Sequence, residues 1–114
     1  MLPVQHRMRT SAQFSATVRS GARSGRRNVV VSVRVSEQDQ PTRVGFVVSK
    51  AVGNAVTRNK VKRRLRELSA SSVRDQPHGM DVVVRALPHA AAADWDELGS
   101  DYRAAFTAAV QRAR

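Results

Sequence analysis

The stretch that decides the fold is RVGFVVSKAVGNAVTRNKVKRRLR, residues 43–66. In its first part, every second residue from Val44 to Val48 is large and apolar, which predicts a strand over 43–50. Gly53-Asn54 is typical of a turn or of a helix start. The residues that follow repeat with the period of a helix. The stretch therefore predicts a strand followed at once by a helix.

The predicted helix spans residues 56–68 and carries one apolar stripe. Val61, Leu65 and Leu68 fall within a narrow arc, at about 100° per residue. Six cations occupy nine consecutive residues around that stripe: Arg58, Lys60, Lys62, Arg63, Arg64 and Arg66. Like charges at such spacing destabilise an isolated helix, so the pattern favours a helix that docks on a sheet and binds a polyanion. The alternative is a solvated basic helix, as most charge runs are.

The other elements are predicted from the same two patterns, the alternation of apolar residues in strands and their helical repeat. Strands are predicted over 28–35 and 81–86, and a loop or a short edge strand over 21–27. Helices are predicted over 11–20, with Thr10-Ser11 as the N-cap, and over 94–114. We expect 28–35 and 43–50 to pair as a hairpin, and the apolar strand 81–86 to be buried on both faces.

These elements predict an α/β (α+β) fold, a small single-domain sandwich of three to four strands with helices. The domain is expected to span residues 1–114, with 1–8 as a flexible tail. From the residues alone, the strand–helix–strand unit over 43–86 is expected to cross over with the usual right hand.

Composition excludes several classes of protein. The chain has 114 residues, a formal net charge of +11, 41% hydrophobic residues and no Cys. Without Cys there is no disulfide framework, thiol nucleophile or zinc–thiolate site. No apolar run approaches the roughly 20 residues of a membrane helix, and no signal-peptide pattern is visible. We therefore expect a cytoplasmic domain.

The positive charge is segregated along the chain. Residues 1–66 hold 15 basic and two acidic residues, whereas 67–114 hold five basic and seven acidic ones. Arg outnumbers Lys 17 to 3, which suits bidentate contacts to phosphate. A codon bias could explain that ratio but not the segregation. The first part of the chain is thus expected to contact a polyanion.

Catalytic and metal-binding patterns are not evident in the sequence. The three His residues lie far apart, and no positioned acid and base stand out. Asp94, Asp96 and Glu97 are most simply acidic residues in the first turn of a helix. We predict neither catalytic nor metal-ligating residues, and the chain is expected to assist chemistry that another molecule performs.

At this point the sequence resembles a known family. The pattern Lys50-x-x-Gly-Asn-Ala-x-x-Arg58-Asn59-Lys60-x-Lys-Arg-x-x-Arg66 is similar to the signature of the bacterial ribonuclease P protein subunit. The strand 43–50, Arg7-Met8-Arg9 before Phe14, and Arg85 on strand 81–86 also match. Lys60 departs from the pattern, because a second Arg is often found at this position. Lys keeps the positive charge but cannot form the two parallel hydrogen bonds that an Arg guanidinium makes to a phosphate.

The resemblance implies a noncatalytic subunit bound to a large catalytic RNA. The family's holoenzyme removes the 5′ leader of precursor tRNA by Mg²⁺-dependent endonucleolytic hydrolysis, with Mg²⁺ held mainly by the RNA. The implied partners are ribonuclease P RNA and precursor tRNA, with no membrane and no small-molecule substrate. The implied fold has a left-handed β-α-β crossover through the basic helix.

Two sets of site residues follow from the resemblance. The set implied to bind the catalytic RNA is Lys50, Asn54, Arg58, Asn59, Lys60, Lys62, Arg63 and Arg66. The set implied to bind the leader, in a cleft between the first helix and the sheet, is Phe14, Arg9, Arg43 and Phe46.

Core packing is the alternative role for both Phe14 and Phe46. Family members often carry aromatic residues near positions 18 and 32, where this chain has Val18 and Ser32. Leader binding is therefore expected to depend more on cations than on base stacking, which is worth about 1–3 kcal/mol per base.

Three other functions remain open. A general RNA-binding or ribosome-associated protein would have the same charge pattern. A DNA-binding helix-turn-helix protein fits less well, because a strand rather than a helix precedes the basic helix. A membrane-surface helix fits least, because the core needs the apolar stripe.

Overall fold

A four-stranded sheet carries helices on both faces in the computed structural model, which describes residues 2–114. The elements in chain order are α1 (Ser11–Ser20), β1 (Ala22–Gly25), β2 (Val29–Val35), β3 (Arg43–Val47), α2 (Ala55–Asp75), β4 (Met80–Ala86) and α3 (Trp95–Ala113), with short 3-10 helices at Val4–His6 and Pro88–Ala91. The strand order is β1-β2-β4-β3, and only the β3–β4 pair is parallel. The predicted α+β sandwich is confirmed.

The predicted hairpin between residues 28–35 and 43–50 is wrong, because β4 lies between β2 and β3. Val84 of β4 is in register with Val31 on one side and with Phe46 on the other. Val82 and Val83 are at most 2% exposed, so β4 is buried on both faces as predicted. A strand that is buried on both faces is most stable at the centre of a sheet, and β4 occupies that place.

Two predicted boundaries also differ. β3 ends at Val47 rather than at residue 50. α2 continues past the predicted end at 68 to Asp75, because Val73 is buried and the Ser72 hydroxyl lies 2.9 Å from the Tyr102 hydroxyl of α3. These tertiary contacts outweigh the low helix propensity of the Ser-rich segment.

The N-terminal part of the chain is held by local hydrogen bonds and by the core. Thr10 caps α1 as predicted, in a capping box with Gln13. Leu2 is 3% exposed, and the Met8 N–H donates to the Val44 carbonyl of β3 at 3.0 Å. Residue 1 of the predicted tail lies outside the described residues, and residues 2–8 contact the domain.

The apolar core fills the space between the sheet and the two long helices. Val61 and Leu65 of α2 and Leu98 of α3 are at most 2% exposed, and they cluster with the helix-facing valines of the sheet. The opposite face of the sheet carries α1, whose Phe14 ring lies against Gly45 so closely that a Cβ there would overlap it. Among the helices of residues 2–114, none combines the length and the hydropathy needed to span a bilayer.

The crossover from β3 through α2 to β4 is left-handed, as the resemblance implies, and the right-handed expectation is wrong. Val44 points to the α2 side, where it clusters with Val61 and Leu65. Viewed from that side with β3 running upward, an L-residue pointing at the viewer directs its carbonyl to the right. The Val44 carbonyl bonds Met8 on the outer edge, so β4 lies to the left. Such crossovers are rare.

Replacing Leu65 with Ala tests the docking of α2. Leu65 is 0% exposed, so we expect the free energy of unfolding to fall by about 2–5 kcal/mol, measured by urea denaturation. The matched control is Val56→Ala on the same helix, where Val56 is 78% exposed and the change is expected to stay within about 0.5 kcal/mol. Equal effects of the two variants would contradict a buried α2 stripe.

The pH dependence of stability tests the contact between α2 and α3. Burial raises the pKa of the Tyr102 hydroxyl above its ordinary value of 10.0. The unfolded chain then loses this proton first, so this stability is complete below about pH 10 and is lost as pH rises through the folded pKa. Tyr102→Phe is expected to be less stable at neutral pH but to show a shallower alkaline decline. Parallel stability–pH curves, from urea melts of both proteins, would refute this.

Candidate nucleic-acid interface

The start of α2 is fixed by Gly53 and Asn54. Gly53 has a φ of 156°, and a Cβ there would lie 2.9 Å from the Thr57 side chain. Asn54 is the N-cap, and its Oδ1 accepts a hydrogen bond from the Thr57 N–H at 2.9 Å. The predicted RNA-binding residue Asn54 therefore also has a structural role, and its amide NH₂ stays available for an RNA contact.

A basic face surrounds the buried stripe of α2. We define this basic face as Arg58, Asn59, Lys60, Lys62, Arg63 and Arg66. Arg58 and Lys62 are half-buried beside the stripe, and the other four are exposed. Lys50 is exposed in the turn before α2. The eight predicted RNA-binding residues thus lie on one continuous segment, and six of them have exposed side chains.

The cations of the basic face have no acidic partner in the described chain. Every ion pair within residues 2–114 joins Asp81 of β4 to Arg34 or Arg43, and none includes a residue of the basic face. The Arg58 Nε is buried and has no hydrogen-bond partner among these residues. Arg64 differs, because it donates to the Ala93 carbonyl at 3.0 Å and so helps to hold α2 in place. The basic face keeps its full charge available for an external anion.

A second candidate surface is the part of the sheet that α1 leaves open, which we call the sheet cleft. It is a hollow of about 420 Å³ with an aliphatic floor and two flanking cations. The floor is Val30, Ser32, Val47 and Val83, and the cations are Arg23 and Arg85. The floor has no aromatic ring, in agreement with the sequence.

Arg23 was missing from the predicted site residues, although a signal for it exists. Its partner in the register is Ser32, which in turn pairs with Val83. Any strand residue in register with Ser32 faces the cleft, because pairing partners share a face. Correct strand pairing, rather than residue type, would have identified Arg23.

The four predicted leader-binding residues do not meet in the sheet cleft. Phe14 lies at its margin, over Gly45. Phe46 is on the opposite face of the sheet, where it packs against the core. Arg9 is exposed just before α1, with its backbone N–H bonded to Gln13. The structure therefore does not gather these four residues in the sheet cleft, and their role in leader binding stays a prediction.

Arg43, the fourth of these residues, is engaged in a buried ion pair. Its Nε and Nη2 donate to the two carboxylate oxygens of Asp81, each at 3.0 Å. Arg34 lies on the other side of Asp81 at 3.9 Å. Asp81 is 2% exposed, and a carboxylate so buried requires such partners. Arg43 is thereby fixed in position, with Nη1 left over for another acceptor.

Comparison with known proteins identifies the family to which the chain is similar. The model of the Ribonuclease P family matches residues 2–110. The chain is 76% identical to the ribonuclease P protein component of Kocuria rhizophila over 98% of both chains. It is 55% identical to that of Pseudarthrobacter chlorophenolicus, over 98% of this chain and 82% of the other.

Solved structures agree with the sequence relatives. The RNase P protein of Staphylococcus aureus has a TM-score of 0.80 and 27% identity to this chain, and the match covers 91% of this chain and 94% of the other. On the family match, the identities and this shared fold, the chain belongs to the ribonuclease P protein family.

Proposed function

We propose that the chain is the noncatalytic protein subunit of ribonuclease P in tRNA processing. It binds the catalytic RNA and the 5′ leader of precursor tRNA, and it assists Mg²⁺-dependent endonucleolytic removal of the leader. The observation that carries the proposal is the basic face of α2, whose cations have no acidic partner in the described chain. The family membership supplies the identity of the RNA partner.

The basic face suits a folded RNA. Arg58, Lys62 and Arg66 follow one another at intervals of one helical turn, about 6 Å. This is close to the spacing of successive phosphates along a strand, so the row can contact phosphates along one backbone. Asn59, uncharged among cations, can donate to and accept from a ribose or a base edge.

The sheet cleft suits a single strand. Its floor of small aliphatic side chains offers contact area but no stacking partner. Arg23 and Arg85 stand in register positions on the two sides of β2 and can each contact a phosphate. Leader binding in this cleft would then be driven by charge and would discriminate weakly between bases.

The chemistry is proposed to take place on the RNA. Mg²⁺ needs several oxygen ligands with near-octahedral geometry. No three His, Asp or Glu side chains converge within residues 2–114. The Nδ1 of His6 is 2.7 Å from the Thr42 carbonyl oxygen, a contact that joins the N-terminal segment to the sheet. The proposal therefore assigns Mg²⁺ to the RNA subunit, as the resemblance implies. It also assigns leader removal by the chain and its RNA partners to the cytoplasm.

Reconstitution tests the proposal. The purified chain is mixed with ribonuclease P RNA of a matching bacterium and with precursor tRNA, over a range of Mg²⁺ concentrations. We expect no cleavage by the protein alone, and cleavage by the RNA at lower Mg²⁺ when the protein is present. Equal affinity for tRNA with and without a leader would favour a general RNA-binding protein. An RNA activity unchanged by the protein at every Mg²⁺ level would refute the proposed function.

The salt dependence of RNA binding tests the basic face. The double variant Arg58→Ala/Arg63→Ala removes two cations that can neutralise phosphates, so the slope of log K against log salt should flatten by about one unit for each lost contact. Arg74→Ala is the matched control, since Arg74 is exposed in the last turn of the same helix and outside the basic face. A slope equal to that of the unchanged chain would show that these arginines do not contact phosphate.

A further inference from the structure

We infer that a pocket at the outer edge of β3 binds one unpaired nucleotide of the RNA, with its base beside Phe14 and Phe46 and its phosphate on Lys62 and Arg66. We call it the β3-edge pocket. The inference rests on the proposed function and extends it to a site outside the sheet cleft.

The β3-edge pocket has a size and a lining that suit a nucleotide. Its volume is about 310 Å³, at the lower end of the range for small-molecule sites. Phe14 borders it from the α1 side of the sheet, and Phe46 borders it from the α2 side. Gly45 between them has no side chain, so both rings are reached around the edge of a single strand. The buried side chain of Met8 adds to the apolar wall.

The charges around the pocket favour an anion. Arg7, Lys62 and Arg66 line it, and no acidic residue of the described chain does. The Arg7 Nε donates to the Leu2 carbonyl at 2.8 Å, which fixes the guanidinium at the pocket. Lys62 and Arg66 belong to the basic face, so a phosphate here would lie on the surface proposed to bind RNA. Aromatic rings beside cations are the combination that binds single-stranded nucleic acid.

The backbone at this edge offers a donor and an acceptor. Residues two apart in a strand direct their N–H and C=O groups to the same side. The Val44 carbonyl bonds Met8 on the outer edge, so the N–H and C=O of Phe46 also point outward. Neither group has a hydrogen-bond partner among residues 2–114 outside the sheet. An open edge of this kind can pair with the hydrogen-bonding edge of a base.

The pocket also continues the sheet cleft. A shallow hollow lined by Phe14, Val18 and Val47 shares Val18 and Val47 with the cleft, and Phe14 with the β3-edge pocket. A single strand lying in the cleft could therefore pass along α1, round the edge of β3, and onto the basic face. This continuity favours a nucleotide of a longer RNA as the occupant over a free metabolite.

Titration of the ¹⁵N-labelled full chain with adenosine 5′-monophosphate tests the site directly. We expect saturable amide shifts centred on Met8, Gly45 and Phe46. Inorganic phosphate and adenosine are expected to give weaker binding at the same amides. Shifts spread over the basic face without saturation, or identical shifts with phosphate alone, would overturn the inference.

Two pairs of matched variants sharpen this titration. Lys62→Gln is expected to weaken nucleotide binding about fivefold, because one charge-assisted contact is lost. Arg74→Gln, on the same helix but away from the pocket, is expected to leave it unchanged. Phe46→Leu should likewise weaken binding, whereas Phe106→Leu, another partly buried ring, should not. Equal effects within either pair would contradict the assigned contacts.

A photocrosslinker distinguishes the two possible sources of the nucleotide. The variant Phe46→p-benzoylphenylalanine is assembled with catalytic RNA and precursor tRNA, and each RNA is labelled in turn. A crosslink to the leader identifies the leader as the source, and a crosslink to the catalytic RNA identifies that molecule. A particle that processes precursor tRNA but gives no crosslink to either RNA would refute the inference while leaving the proposed function intact.

Discussion

The docking of the α2 stripe on the sheet is the interaction on which the rest of the structure depends. Six cations within nine residues repel one another, and each like-charged pair one turn apart costs a few tenths of a kcal/mol. Burial of Val61 and Leu65, at most 2% exposed, contributes about 1.5–3 kcal/mol for each side chain. Apolar burial therefore exceeds the repulsion and keeps the helix folded without RNA. The backbone of the basic face is already ordered in the free chain, which would reduce the entropy lost on binding the proposed RNA partner.

Much of the fold could be predicted from local patterns, because the spacing of apolar residues within each element indicates which of its faces is buried. The stripe of α2, the cap at Thr10 and the run of three valines in β4 are all readable in the sequence, and the structure has them. Strand pairing could not be read in this way. The short turn between β2 and β3 favours a hairpin, yet β4 pairs with both strands. The signal was the run Val82 to Val84 in β4, because consecutive apolar residues place apolar side chains on both faces, as in a strand at the centre of a sheet.

The site was predictable in part, for a related reason. Residues of the basic face sit on one helix, so their spacing alone places them together. Residues of a cleft come from different strands, and their arrangement depends on pairing and on the hand of the crossover. The prediction thus grouped Phe14 with Phe46 in one cleft, although they lie on opposite faces of β3 and come together at its outer edge. It also missed Arg23, which the register sets opposite Ser32. Arg43 looked like a free cation because its partner Asp81 is 38 residues away in sequence.

The left-handed crossover explains why the two candidate surfaces adjoin each other. A right-handed connection would place β4 on the outer side of β3, where the N-terminal segment now lies. With the observed hand, that edge of β3 is covered only as far as Val44, through the Met8 hydrogen bond. Beyond it the strand separates α1 on one face from α2 on the other by the thickness of a single backbone, with Gly45 between the two phenyl rings. This rare topology thereby leaves a path along which the proposed RNA strand would contact both faces of the sheet without leaving the protein surface.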